Sequence, residues 1–271
     1  MRSPEPVPAA VPVFILCGGQ GTRLGDGAEG GPKPMVEIGE QPMLVHVMGC
    51  YARHGFRRFV LCTGYKGDVI GAYFLNHAAH NNDFTVGLAG GSVTYHRREP
   101  APDWEVTVAL TGRRTMTGGR LARAAARHLR PADEHFAVTY GDGLTDADLA
   151  GELAFHMSHN GLGTVLAVTP PSPFGRLELH EDGAAASGFA EKPRQGAGRI
   201  NGGFFLFRRP FLGYLSEDEG CVLEQGPLTR LAGDGQLRTF RHDGYWSCVD
   251  TVRDRDEVRG LWEGGAAPWG G

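Results

Sequence analysis

The residues of this chain that could do chemistry cluster where apolar runs end in glycine-rich loops. Gly18, Gly19 and Gly21 take three of four positions after the run Val13-Phe14-Ile15-Leu16-Cys17, with Thr22 and Arg23 next and Lys33 close behind in Pro32-Lys33-Pro34. Glycines there leave backbone N–H groups bare, and with a guanidinium and an ammonium beside them the natural guest is a polyphosphate. The competing reading is a tight turn, and Arg23 with the Pro-Lys-Pro segment favours binding over it. Leu24 stands where a dinucleotide fingerprint needs its third glycine, and no Gly-Lys-Ser/Thr follows, which argues against a nicotinamide dehydrogenase or a Walker-type loop.

Two carboxylates complete the constellation. Asp142 lies between Gly141 and Gly143 after an apolar strand pattern, and Asp250 sits at another strand-to-helix junction. Such a pair could share a magnesium ion with phosphate oxygens, because this hard cation takes one or two protein carboxylates and keeps several other oxygen ligands. The alternatives are a plain Gly-Asp-Gly turn and an N-cap role for Asp250. Glu191-Lys192-Pro193 and Asn201-Gly202-Gly203 could set a carboxylate, an ammonium and an amide around a phosphorylated sugar, against a surface ion pair and a hairpin turn. The histidines carry no catalytic pattern; His77, His80, His156 and His159 fall on expected helices as core or surface residues.

The elements that must hold these groups alternate in a parallel-sheet rhythm. A strand at 13–17, a helix over 42–54, a strand at 59–63 and a helix over 68–80 read as β-α-β-α. Three short strands, at 84–88, 92–96 and 104–110, suggest an antiparallel excursion. A helix over 117–129 puts Leu121, Ala125 and Leu129 on one face and leaves Arg123, Arg127 and Arg130 on a solvated side. The strand at 135–140 delivers Asp142 to the sheet edge, a helix over 146–159 and a strand at 164–169 continue the parallel pattern, and a strand-rich part follows to 207. Short helices at 210–215 and 227–231, a strand at 237–242, the segment 246–250 and a helix over 251–262 complete the chain. The expected fold is α/β, Rossmann-like and three-layered, with a mixed, mainly parallel sheet and a strand-rich sugar-binding part.

Composition sets the frame. The 271 residues are 41% hydrophobic, enough for a sizeable core, so 11–271 is expected to form a single domain behind a Pro- and Ala-rich tail at 1–10 expected to be disordered. A net charge of −4 argues against nucleic-acid partners, no apolar run has membrane-spanning length, and the opening residues lack a signal-peptide core; a cytoplasmic protein is expected. Five cysteines without a Cys-x-x-Cys pair fit small buried hydrophobes better than a disulfide framework or a zinc site.

Taken together, Gly18-Gly19-Gln20-Gly21-Thr22-Arg23-Leu24, Pro32-Lys33-Pro34-Met35-Val36-Glu37-Ile38-Gly39, Met116-Thr117-Gly118-Gly119-Arg120-Leu121, Tyr140-Gly141-Asp142-Gly143, Glu191-Lys192-Pro193, Asn201-Gly202-Gly203-Phe204-Phe205 and Asp250-Thr251 resemble the sugar-phosphate nucleotidyltransferases. The Met-Thr-Gly-Gly-Arg segment and the turn Gly64-Tyr65-Lys66-Gly67 point to the glucose-1-phosphate cytidylyltransferase branch. The resemblance runs from Val13 to Trp269. It implies CTP and α-D-glucose 1-phosphate as substrates, CDP-glucose and pyrophosphate as products, and a homo-oligomer. It also implies roles: Gly18, Gly19, Gly21, Thr22 and Arg23 on the triphosphate, Lys33 on the phosphates at the reacting centre, and Thr115 and Arg120 on the nucleotide. Asp142 and Asp250 would hold magnesium, and Gly175, Glu191, Lys192 and Asn201 would face the sugar phosphate. The chain departs from the family pattern at Gly31, at Ser172-Pro173-Phe174-Gly175 and at Leu223-Glu224-Gln225-Gly226-Pro227, more on the sugar side than on the nucleotide side. That leaves dTTP, UTP, a modified sugar or a non-catalytic nucleotide-sugar sensor as alternatives.

Overall fold

A computed structural model of the chain describes residues 7–19, 31–96, 101–170, 176–179, 186–190 and 198–270. The order opens with β1 (Pro12–Cys17), the two-residue strands β2 (Glu37–Ile38) and β3 (Gln41–Pro42), α1 (Met43–Ala52), β4 (Arg58–Thr63), α2 (Gly67–Leu75) and α3 (His77–His80). It continues with β5 (Asp83–Gly87), β6 (Ser92–His96), β7 (Glu105–Leu110), α4 (Thr117–His128), β8 (His135–Tyr140), β9 (Gly143–Thr145), α5 (Leu149–Ser158) and β10 (Gly163–Val168). The last part holds β11 (Arg176–Leu179), β12 (Ala186–Ala190), β13 (Ile200–Arg208), α6 (Pro227–Gly233), β14 (Leu237–His242), β15 (Trp246–Cys248) and α7 (Val252–Glu263). None of the described helices is long and apolar enough to cross a membrane.

Seven strands form the central sheet in the order β14-β10-β13-β8-β1-β4-β7. β8, β1, β4 and β7 run parallel, β13 is antiparallel to both β8 and β10, and β14 runs parallel to β10. The sheet is therefore mixed and mainly parallel, as the sequence predicts. Strand alternation feeds two cores. Val13, Ile15 and Cys17 of β1 face the layer of α1 and α5, whereas Phe14 and Leu16 face Leu121, Ala124 and Ala125 of α4. A strand buried on both faces has no polar side to show, which is why β1 reads as an unbroken apolar run.

Three expectations are corrected. β7 is no part of an antiparallel excursion, because Arg58 to Thr63 pairs in parallel register with Glu105 to Leu110; β5 and β6 alone form a separate antiparallel hairpin. The helix expected over 68–80 breaks at Asn76, whose side chain caps back onto the Ala72 carbonyl at 2.8 Å. Asn201-Gly202-Gly203 makes no hairpin turn: it lies within β13, where the pairing jumps from Val165–Phe205 to Ala167–Asn201. Gly203 has φ +80 in that bulge, a conformation that glycine adopts without steric cost. At the amino end, Pro8–Ala10 forms a 3-10 turn, and Arg58 Nη1 donates to the Ala10 carbonyl at 2.7 Å.

Candidate active site

The carboxyl ends of β1 and β8 and the segment leading into α4 open onto a cleft of about 550 Å³ lined among others by Gly18, Gly19, Lys33, Arg113, Arg114 and Asp142. Ligands of open parallel sheets bind at such strand ends. A slightly larger cavity, about 600 Å³, lies beside the edge strand β7 between Phe74, Leu75, Trp104 and Val108, and its lining is mostly apolar, with His77 as its one ionisable side chain among the described residues.

Lys33 is delivered by a 3-10 turn, Lys33–Met35, set by its flanking prolines. Pro34 is buried against the loop after β8, where a Cβ added to Gly141 would stand 2.9 Å from Pro34 Cγ. The Gly141 N–H in turn donates to the Leu16 carbonyl at 3.2 Å, so β1, β8 and the lysine turn are joined at one corner. The two carboxylates come together through a second contact. β9 and β15 pair antiparallel, matching Gly143 with Cys248, and the Val249 N–H donates to the Asp142 carbonyl at 3.0 Å. This ribbon brings Asp250 beside Asp142 across more than a hundred residues of sequence.

Lys33 Nζ lies 2.5 Å from Asp142 Oδ2 and 2.5 Å from Asp250 Oδ1. Burial by itself would lower the pKa of this ammonium, but the charge of Asp142 and the hydrogen bonds to both carboxylates outweigh it and hold the pKa above its ordinary value. Asp250 is no helix cap: Thr251 caps α7, accepting from the Asp254 N–H at 3.2 Å while Asp254 Oδ2 accepts from the Thr251 N–H at 2.8 Å. Capping by the next residue leaves the Asp250 carboxylate for the cleft. One ligand atom each of Asp142, Asp250 and Cys248 lies within 4.8 Å of the others. Burial first, then the Asp142 and Asp250 carboxylates, keep the Cys248 thiol protonated, with Lys33 opposing.

Arg120 and Thr115 line the same cleft but are engaged with protein. The Arg120 guanidinium, 2% exposed, donates to the carbonyls of Thr63 at 3.0 Å, Gly112 at 2.7 Å, Gly18 at 2.9 Å and Arg113 at 3.4 Å, and to Thr111 Oγ1 at 3.0 Å. It ties the ends of β1, β4 and β7 together. Thr115 Oγ1 accepts from Arg123 Nη1 at 2.8 Å, and Arg123 also donates to the Thr111 and Glu217 carbonyls at 3.1 and 2.8 Å. Arg123 is therefore a half-buried brace and not part of a solvated face, while Arg127 and Arg130 are exposed as expected.

Asn201 reaches the site from the other side of β8. Its Oδ1 accepts from the Gly203 N–H at 2.8 Å, and its side chain also meets the phenol of Tyr140. The Tyr140 hydroxyl donates to Glu224, whose other oxygen accepts from Thr117 Oγ1 at 2.8 Å; Thr117 Oγ1 itself accepts from the Leu223 N–H at 2.9 Å. Burial first, then the Glu224 carboxylate, push the phenol up, so it stays a donor. Gly21, Thr22, Arg23, Gly175, Glu191 and Lys192 lie outside the described residues.

Sequence reasoning assigned no role to Arg113, Arg114, Tyr140, Thr117 or Glu224, all at or behind the cleft. Arg113 and Arg114 are exposed at its mouth, and the Arg113 guanidinium lies 5.2 Å from the centroid of the Tyr65 ring. The readable signal was an arginine pair directly before the Met-Thr-Gly-Gly-Arg segment. For Glu224 there was no local signal, because its partners are about a hundred residues away.

A basic cleft at the carboxyl edge of a mainly parallel sheet, with two loop-borne carboxylates beside a lysine, defines an α/β protein that handles phosphates. The sequence profile described as nucleotidyl transferase matches residues 12–254, and the chain belongs to that family. The glucose-1-phosphate cytidylyltransferase of Salmonella typhimurium is 43% identical over 255 residues, spanning 94% of this chain and 97% of that protein. The enzyme of the same name from Salmonella typhi is 44% identical over the same spans. HddC from Yersinia pseudotuberculosis, solved in complex with GMP-PN, has a TM-score of 0.64 at 21% identity, covering 93% of this chain and 99% of that one, and shares the fold.

Proposed function

We propose that the chain is a glucose-1-phosphate cytidylyltransferase, transferring a cytidylyl group from CTP to α-D-glucose 1-phosphate and releasing pyrophosphate, with residues 11–271 as one catalytic domain. The observation that carries this reading is Lys33 held between Asp142 and Asp250 at the mouth of a basic cleft. An attacking sugar phosphate is already an anion and needs no general base; the barrier is repulsion between two polyanions and their alignment. The cleft answers both needs. Lys33, Arg113 and Arg114, joined by Arg23, neutralise the triphosphate, and a cation held by Asp142 and Asp250 would supply further positive charge beside Lys33. Gly18, Gly19, Gly21 and Thr22 offer backbone donors to the same phosphates, Arg120 and Thr115 hold the nucleotide pocket in shape, and Gly175, Glu191, Lys192 and Asn201 face the sugar phosphate.

Asp142 and Asp250 suit magnesium. They already share one cation at hydrogen-bonding distance, and two carboxylates leave this metal the further oxygen ligands it prefers. Bound there, Mg2+ would supply charge neutralisation on the triphosphate. The enzyme acts in the cytoplasm as a homo-oligomer on two soluble substrates. The test is pyrophosphate release across a panel of CTP, dTTP, UTP and GTP against several sugar 1-phosphates. Turnover is expected with CTP and glucose 1-phosphate; a stronger preference for another nucleotide or sugar overturns the specificity, and background rates throughout overturn the activity.

A further inference from the structure

We propose that Cys248 is a third ligand of the Asp142/Asp250 cation site, making it a mixed carboxylate and thiolate site that takes thiophilic divalent ions such as Cd2+ and Zn2+. The inference rests on the reading of those two aspartates as metal holders. The β9–β15 ribbon builds the site. Cys248 sits opposite Gly143, next to Asp142, and Val249 between Cys248 and Asp250 is buried at 1% exposure in the core. Extended chain alternates its side chains, so burying Val249 turns Cys248 and Asp250 to the same side, that of Asp142. The Cys248 Sγ and one oxygen from each aspartate then fall within 4.8 Å of one another, a span that one ion can bridge.

The donor set decides the chemistry. Two carboxylates alone suit hard oxygen-seeking ions, whereas adding sulfur favours softer ones. Three protein ligands with a further position left for a phosphate oxygen is the usual pattern of an open zinc site. The space is already built for positive charge, because the Lys33 ammonium lies between the two aspartates. When the ion enters, the S–H bond breaks, its proton leaves to solvent, and the sulfur electron pair forms the bond to the metal. The other cysteines are placed elsewhere: Cys17, Cys50 and Cys62 are buried in the two cores, and Cys221 packs against Gly118 at the start of α4.

The test titrates the purified chain with Cd2+, with and without CTP, and follows the near-ultraviolet thiolate-to-cadmium charge-transfer band. The band should saturate at one ion per chain, vanish in Cys248→Ser and in Cys248→Ala, and persist in Cys221→Ser. Cd2+ affinity should fall about tenfold or more in Cys248→Ser, since losing a direct ligand costs at least as much as losing an outer-shell partner. Far-ultraviolet circular dichroism checks that each variant is folded. Mn2+ binding, read by water-proton relaxation, separates the two layers of the inference. If Asp142→Asn weakens Mn2+ but the cadmium band is missing or survives in both Cys248 variants, the sulfur ligand is overturned and the aspartate site stands. If Asp142→Asn leaves Mn2+ binding unchanged, the aspartate site falls and the sulfur ligand with it.

Discussion

The Arg120 guanidinium fills the space that a side chain on Gly18 would need: a Cβ there would stand 2.1 Å from Arg120 Cζ. The same guanidinium excludes a side chain from Gly64, where a Cβ would lie 2.2 Å from Arg120 Nη1. The first glycine of the loop is therefore spent on admitting an arginine that braces three strand ends, while Gly19 beside it has open space. The backbone at Gly18 is thus fitted to a side chain of α4.

Gly18→Ala should destabilise the fold by about 1–3 kcal/mol, the usual cost of overpacking a filled site. Arg120→Ala should cost roughly 3 kcal/mol or more, because it strands several inward-facing acceptors at once, each worth about 1–3 kcal/mol. Urea titration measures both. A loss of CTP binding in Arg120→Lys with unchanged stability would show instead that the guanidinium acts on nucleotide directly.

Lys33→Met should lower kcat/KM by about 10²- to 10³-fold, the size expected for removing one donor from a developing charge. Metal affinity should move the other way, because the ammonium that competes for Asp142 and Asp250 is gone. Mn2+ binding that weakens in Lys33→Met would refute that competition.

Glu224→Gln should weaken the tie between the start of α4 and the end of β8, with a stability loss of about 1–3 kcal/mol and a raised KM for both substrates. The Tyr140→Phe and Thr117→Ala pair tests the linkage: a double-mutant cycle should return a coupling above about 0.5 kcal/mol if Glu224 joins them. Strict additivity would mean that the two hydrogen bonds act independently.

Acid should loosen the layer between α5 and the sheet. His156, fully buried, has its pKa lowered from 6.5 to about 3 by burial first, then by His135, Arg208 and His159, and its Nδ1 lies 2.8 Å from Thr164 Oγ1. With a folded pKa below the unfolded one, the unfolded chain binds this proton first, so stability declines as pH falls from about 6.5 towards about 3. The decline should reach about 3 kcal/mol near pH ~4 from this group alone. Asp133, whose pKa is lowered by its bonds to Arg58 and the Arg130 N–H against the opposing effect of burial, adds a further loss below the ordinary carboxylate range. Thermal midpoints across pH should flatten between about 6.5 and 4 in His156→Gln; an unchanged profile would assign the acid sensitivity elsewhere.

Where local pattern and tertiary need coincide, the sequence was readable. β1, β4 and β8 are buried on both faces, so their apolar runs announce strands without reference to neighbours. Thr251 caps α7 within its own turn, so the boundary at 251 was legible to within a residue. The pairing of β7 is not legible because nothing in Glu105 to Leu110 reports which partner it will take, and the same holds for the bulge at Asn201, whereas the break at Asn76 goes with a local bond from its side chain to the Ala72 carbonyl.

By itself the sequence determined the classes of group available: glycines and cations after β1, a lone carboxylate between glycines after β8, and another before the last helix. The tertiary structure decided their company. It put Asp250 against Asp142 through the β9–β15 ribbon, set Lys33 between them, drew Arg120 away from solvent to brace the loop, and turned Cys248 toward the aspartates. Residue types follow from local chemistry, but these pairings bridge separations of roughly a hundred residues or more, which only backbone hydrogen bonding and core packing can specify.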